Sequence, residues 1–175
     1  APVQLVVVAG RDISLYQELK NTEWHVPVKI YEYVSNVPEM MLAADAVICK
    51  AGGLVVTESL AAGRPMLLVD AIPGQETGNA DLVVRSGAGD LARSEREVLE
   101  SVAHWLMDGG KLLRERARNA AALGKPNAAY DVASQAYMAA HRLVEPHRHL
   151  FSRRSLIDLL SRNEIRFGDS KDVKD

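Results

Sequence analysis

The sequence has one cysteine in 175 residues, no long apolar run and no excess of either charge. The lone thiol, Cys49 in "DAVIC", cannot close an internal disulfide. It reads as a small buried hydrophobe of a reducing compartment. The longest apolar stretches, "LVVVAG" and "PMLLVDAI", fall far short of the roughly 20 residues that span a bilayer. The N-terminal "APVQLVVVAG" has no basic segment ahead of its apolar run, which excludes a secretory signal peptide. With 21 Lys+Arg against 23 Asp+Glu the formal net charge is -2. That balance excludes nucleic acid as the main partner, because phosphate backbones are bound by a clear basic excess. There is no initiator methionine, and the chain starts almost at once on a strand-like run, so it is expected to be a piece of something longer.

What is present is a 47% hydrophobic chain of one-domain length, with mass enough for a full core and an appendage. Short β-branched runs alternate with helix-period segments. Strands are predicted at 2–9, 28–34, 45–50, 65–70 and 88–91, and helices at 15–24, 38–44, 54–62 and 75–85. Such alternation means βαβ units and an open, parallel, Rossmann-like sheet with helices on both faces. "LVVVA", "AVIC" and "MLLV" are apolar throughout, the pattern of strands buried on both sides. After residue 93 the pattern is helical only. Ser94 and Glu97 form an S-x-x-E capping box, Gly109-Gly110 ends that helix, "KLLRERARNAAALG" is another, and Pro126 opens a third. No internal repeat or low-complexity tract is present. The domain is predicted over 1–145, with a tail over 146–175 that begins basic and ends polar.

Two glycine-marked turns stand about twenty residues apart, each after a strand and each opening a helix. Lys50-Ala51-Gly52-Gly53 lies at the carboxyl end of a strand, where ligands of open α/β sheets sit. Two missing side chains and the unpaired N–H groups of the next helix suit a pyrophosphate. The plain alternative is that the glycines only permit a tight turn. Glu58 is about one turn into that helix, too far in to cap it and of the wrong charge for a phosphate. A carboxylate there can accept the two hydrogen bonds that a ribose diol offers, or it can be a solvated glutamate that suits the helix dipole. In "DAIPGQETGN", Gln75 and Asn79 are spaced i, i+4 and Glu76 and Asn79 i, i+3, so all three are predicted to face one ligand. Amides and carboxylates of this kind suit sugar hydroxyls, and a merely polar helix start would be weakened by Gly78.

The segments "VVVAGRDISLYQEL", "YEYVSNVPEMMLAADAVICKAGG" and "TESLAAGRPMLLVDAIPGQETGNADLVVRSGAG" cover roughly residues 5–90. In order and spacing they resemble the C-terminal, donor-binding half of GT-B glycosyltransferases, and within these the monogalactosyldiacylglycerol synthases and diacylglycerol glucosyltransferases. The resemblance implies a UDP-hexose donor, a lipid acceptor and a set of roles. Backbone groups of Tyr33 and Val34 would hold the uracil, and the Gly10-Arg11 turn would approach the pyrophosphate. Gly52, Gly53, Leu54 and Val55 would supply phosphate-binding amides, Glu58 would take the ribose, and Gln75 and Glu76 the hexose. Asp12 stands where the plant-like members are expected to have asparagine, and it is given no role. It also implies no cofactor and no metal held by a D-x-D motif, which this chain lacks. The acceptor site and catalytic base would lie in an N-terminal domain absent from these 175 residues, so no catalytic residue is assigned here.

His147 and His149, at i, i+2, do not share one helix face and are not read as a metal site. The same segment carries Arg142, Arg148, Arg153 and Arg154 against Glu145. An anionic lipid surface is one use for it, and an ordinary solvated tail is the other. The resemblance places the whole protein in the cytoplasm, peripheral on the inner face of a membrane. Two other functions compete: the donor domain of a peptidoglycan N-acetylglucosaminyltransferase, whose paired glutamines are here "PGQE", and a nucleotide-sugar-binding module without transferase activity.

Overall fold

A computed structural model describes residues 3–144. They divide after Pro126, ahead of the 145/146 boundary read from the sequence. The first unit alternates strand and helix: β1 (Leu5–Val8), α1 (Ile13–Asn21), β2 (Val28–Tyr31), α2 (Val37–Ala43), β3 (Val47–Lys50), α3 (Gly53–Ala61), β4 (Met66–Asp70), α4 (Thr77–Arg85) and β5 (Gly89–Leu91). It then adds α5 (Glu95–Leu106), a 3-10 turn at Met107–Gly109 and α6 (Lys111–Leu123).

All strand pairs are parallel. Their hydrogen bonds form a two-stranded sheet, β1-β2, and a three-stranded sheet, β3-β4-β5, in place of the one continuous sheet expected. Burial follows a different division. In β4 the first three residues, Met66, Leu67 and Leu68, are fully buried between two apolar clusters. One cluster gathers Ala51, Val56, Leu60, Met66, Leu68, Ala80 and Val83, largely from β4, α3 and α4. The other sets Leu67 against Ala92 and Trp105, with Val98, Val102, Leu112 and Leu113 around them. This two-sided cover is what an all-apolar parallel strand needs. β1 and β3, equally apolar in sequence, alternate instead: Val6, Val8 and Ile48 are exposed while their neighbours are partly buried.

The helix starts have identifiable causes. Asp12 caps α1, its carboxylate accepting from the Leu15 N–H at 3.0 Å and the Ser14 hydroxyl at 2.6 Å. Both bonds favour the charged form and hold this carboxyl below its ordinary 3.8. Ser94 caps α5 by accepting from the Glu97 N–H, and Glu97 accepts in return from the Arg93 N–H at 2.7 Å. The second unit contributes α7 (Ala128–Val144), which exposes Tyr130, Val132, Tyr137 and Met138. Among the described residues no helix is long and apolar enough to cross a membrane. His147, His149, Arg148, Arg153 and Arg154 lie outside the described residues.

Candidate functional site

Because β3 and β4 run parallel, the turns that follow them emerge at the same end of their sheet. A register shift at Cys49/Lys50 sets Lys50 opposite Asp70, and their side chains pair at 3.1 Å. Cys49 itself is largely desolvated, which pushes its thiol up to about 11. It is an inert packing residue, as its apolar setting in the sequence predicts.

The first turn leads into α3. Gly52 is the N-cap residue, with φ -65 and ψ 139, and no side chain caps the helix. These angles are open to any amino acid, and Gly53 too lacks a positive φ. The tight-turn explanation of the pair therefore fails, and space is the reason left for glycine. Part of that space faces the second turn. A β-carbon on Gly52 would stand 3.6 Å from Glu76 Oε1, and one on Gly53 would stand 3.7 Å from Asn79 Nδ2. The first turn of α3 carries no acidic residue, so its N-terminal N–H groups and partial positive charge are unopposed from within the helix. Leu54 is 73% exposed there, and Val55 is half-buried. Glu58, the sixth residue of α3, is half-buried and takes part in none of the ion pairs among the described residues.

The second turn differs from its sequence reading. α4 begins at Thr77, with Glu76 as its N-cap residue and Gln75 still in the turn. Helical spacing therefore does not relate Gln75 to Asn79. The turn is knit by its own bonds, the backbone Glu76 N–H donating to the Ile72 carbonyl at 2.9 Å across the Pro73-Gly74 corner. The Ile72 N–H donates to Glu76 Oε2 at 2.9 Å, and the Gly74 N–H donates to the Thr77 hydroxyl at 3.1 Å. Asn79 points back toward β3, its Nδ2 donating to the Ala51 carbonyl at 2.9 Å. The Gln75 side chain is the exposed amide of the turn.

The other predicted site residues stand at the carboxyl end of the β1-β2 sheet. Gly10 follows β1 with φ 70, a conformation that favours glycine. The Arg11 guanidinium lies 5.1 Å from the centre of the Tyr33 ring, so a cation–π contact joins the β1 and β2 ends. Tyr33 is 61% exposed, and Val34 is half-buried. The structure thus brings together Arg11 with Tyr33, and Gly52 and Gly53 with Glu76 and Asn79. The sequence reading gives Asp12 no role, although an Asp directly before a helical pattern is a readable cap. Among the described residues no group of three His, Cys, Asp or Glu side chains could hold a metal ion.

Residues 2–143 match the glycosyltransferase family 28 C-terminal domain. The chain belongs to this family. It is 39% identical over 129 residues to monogalactosyldiacylglycerol synthase 3, chloroplastic, of Arabidopsis thaliana, an alignment covering 74% of this chain and 28% of that protein. It is 40% identical over 129 residues to a probable monogalactosyldiacylglycerol synthase 2, chloroplastic, of Oryza sativa subsp. indica, again covering 74% of this chain and 28% of the relative. The chain thus spans little more than a quarter of the length of these relatives. Among solved structures, Acinetobacter baumannii MurG superimposes with a TM-score of 0.58 at 23% identity, over 77% of this chain and 49% of that one. The glycosyltransferase VinC, solved in complex with dTDP, gives 0.55 at 15% identity, over 81% and 43%. At those identities the likeness establishes the fold alone, a Rossmann-like parallel α/β unit of GT-B glycosyltransferases.

Proposed function

We propose that this chain is the donor-binding half of a glycosyltransferase that moves a hexose, galactose or glucose, from UDP to a diacylglycerol-type lipid. One observation carries the reading. Gly52 and Gly53 occupy ordinary backbone conformations at a helix start with no side-chain cap and no acidic residue in its own first turn, so what they supply is room beside free N–H groups. A diphosphate uses both features. The naming of the relatives supports galactose as the hexose and diacylglycerol as the acceptor.

In this reading the amides of Gly52, Gly53, Leu54 and Val55 take the pyrophosphate, and Arg11, at the Gly10 turn, approaches it from the β1 end. Backbone groups of Tyr33 and Val34 hold the uracil, Glu58 takes the ribose hydroxyls, and Gln75 and Glu76 take the hexose. During transfer the glycosidic bond to the UDP oxygen breaks and negative charge grows on the β-phosphate. Preorganised amides at that point stabilise the leaving group without a metal. The acceptor hydroxyl needs a base within hydrogen-bond reach, which an N-terminal domain of the whole protein would supply. The whole protein would work peripherally at the inner face of a membrane, where a lipid acceptor is accessible from the cytoplasm.

Calorimetric titration of the chain with UDP, UDP-galactose, UDP-glucose and UDP-N-acetylglucosamine tests the reading. UDP is expected to bind without divalent metal, and a UDP-hexose to bind more tightly than UDP. Failure of all four to bind would remove the donor site.

A further inference from the structure

We propose that Asp108 is a site of spontaneous backbone modification. Its carboxyl condenses with the Gly109 amide to a succinimide, which reopens to an isoaspartyl link and loosens the joint between α5 and α6. The site is remote in sequence from both glycine turns, and its chemistry is independent of the donor-binding reading.

Asp108 stands in the 3-10 turn at Met107–Gly109, between the end of α5 at Leu106 and the start of α6 at Lys111. Its φ is 50 and its ψ 40, and it is the one non-glycine residue with positive φ among the described residues. An L side chain is disfavoured there because its β-carbon crowds the following carbonyl oxygen. Gly109 and Gly110 continue the left-handed path with φ 66 and 78. Asp108 and Gly109 are both exposed, and a β-carbon built on Gly109 would meet nothing within 4 Å. Asp108 takes part in none of the ion pairs among the described residues. The other described aspartates precede Ile, Ala, Leu or Val, whose β-carbons shield the amide nitrogen that would have to attack. Asp12 and Asp90 are in addition held by hydrogen bonds. Asp108 has neither restraint.

The step needs no partner but water. The Gly109 nitrogen bonds to Asp108 Cγ, the Cγ–O bond breaks, and the carboxyl hydroxyl leaves with the amide hydrogen as water. Closing this ring requires rotation about the Asp108 Cα–C bond away from ψ 40, which the flexible Gly109-Gly110 pair permits. Water then adds to the Asp108 carbonyl carbon, whose bond to nitrogen breaks, and the chain runs on through Cβ and Cγ with a free carboxylate on Cα. Addition of water at Cγ instead restores aspartate. In the isoaspartyl form Cβ belongs to the main chain, so the crowding that disfavours φ 50 is gone. The lengthened link lies beneath two bonds of the turn. The Gly110 N–H donates across it to the Met107 carbonyl at 2.9 Å, and the Gly109 carbonyl accepts from Arg114 Nη1 at 2.6 Å. The helices on either side meet at β5, where Asp90 accepts from Trp105 of α5 at 2.7 Å and from Arg116 of α6 at 2.7 Å. A joint one methylene longer disturbs the approach of both helices to that carboxylate.

The test is prolonged incubation of the folded chain at neutral pH, followed by peptide mapping. Isoaspartate is read in two ways: resistance to cleavage by a protease specific for aspartate, and labelling by a methyltransferase specific for isoaspartyl carboxyls. Both signals are expected to accumulate at residue 108 ahead of every other described aspartate, with a dehydrated intermediate one water lighter in the same peptide. Asp108→Gly suits the left-handed conformation and Asp108→Glu keeps the charge, but the first has no carboxyl and the second disfavours the ring. Neither should acquire the label at residue 108. The labelled fraction of the unaltered chain, separated by ion exchange or reversed-phase chromatography and refolded, should melt below the unlabelled fraction treated in the same way. A synthetic peptide of residues 97–111 is the control for intrinsic reactivity. If that peptide isomerises while the folded chain does not, the turn protects Asp108 and the proposal is overturned. Label spread evenly over the aspartates would overturn it too, and so would a labelled fraction that melts with the unlabelled one. Should one variant fail to fold, the other decides whether the label depends on Asp108.

Discussion

Glu58 is half-buried beyond the first turn of α3, past the reach of a cap and outside the ion pairs among the described residues. If it takes the ribose, Glu58→Ala should weaken UDP by about 1–3 kcal/mol, the range for losing hydrogen bonds to a charged acceptor. Unchanged calorimetric affinity in a folded variant would contradict the assignment. Cys49 makes a second prediction at this scale. Burial lifts its thiol from 9.0 to about 11, which lowers the thiolate fraction near neutral pH about a hundredfold. Iodoacetamide at pH 8 should therefore label the folded chain far more slowly than the urea-unfolded chain, and equal rates would place the thiol in solvent. The packing role of Cys49 was legible from its apolar neighbours alone. Asn79 was less legible. Its type and spacing suggested a sugar ligand, but its direction depends on where α4 begins. Thr77 starts the helix because Glu76, Gly74 and Thr77 are bonded within the turn, a detail that hydrophobic periodicity does not carry.

At the scale of elements, the order of strands and helices followed from alternation, and the capping box at Ser94 and Glu97 followed from residue type. The division of the strands into two hydrogen-bonded sheets did not. Apolar runs of the same appearance end up sandwiched in β4 and half-exposed in β1 and β3, because cover depends on which helices pack where. Also hidden was the clamp on β5. Asp90 accepts from Trp105 Nε1 at 2.7 Å and from Arg116 at 2.7 Å, joining β5 to α5 and α6. Arg116 also donates to the Gly89 carbonyl at 3.1 Å and lies 5.4 Å from the Trp105 ring centre. These three residues are far apart in sequence with no shared period, so only the packed fold brings them together. Asp90→Asn would leave the Arg116 charge poorly matched. It should cost about 2 kcal/mol by urea unfolding, below the roughly 3–5 kcal/mol of a fully buried pair because the Asp90 side chain is 31% exposed. The cap of α1 gives a pH signature. Asp12 has a folded pKa below its ordinary 3.8, so its contribution is complete above that value and disappears as pH falls through the lower folded one. The difference in melting temperature between the chain and Asp12→Ala should hold steady near pH 6 and shrink below about pH 4. A difference that persists unchanged at the lowest pH would show that the charge is not what caps α1.

At the scale of the molecule, the described residues account for a donor and not for an acceptor. The motifs proposed for uracil, pyrophosphate, ribose and hexose all fall within the first unit, at the carboxyl ends of its strands. None of the roles proposed for residues at the two turns is that of a general base. Lys50 and Asp70, the charged pair at that sheet edge, neutralise each other at 3.1 Å and are both more than half exposed. Transfer needs an acceptor hydroxyl deprotonated in place, and general base catalysis is worth about 10²–10⁴-fold only when the base is within hydrogen-bond reach. Holding donor and acceptor together contributes more still, and that contribution needs both sites on one protein. The alignment spans 28% of the plant relatives' length, which leaves room in those proteins for a second half. The 175-residue chain alone is therefore expected to bind UDP and to transfer no measurable sugar from UDP-galactose or UDP-glucose to diacylglycerol in mixed micelles or anionic vesicles. The same assay on a chain joined to its N-terminal half should show transfer. Robust transfer by the short chain would mean that an acceptor site and a base lie within residues 1–175. Asp70, freed from Lys50, would then be the first group to mutate.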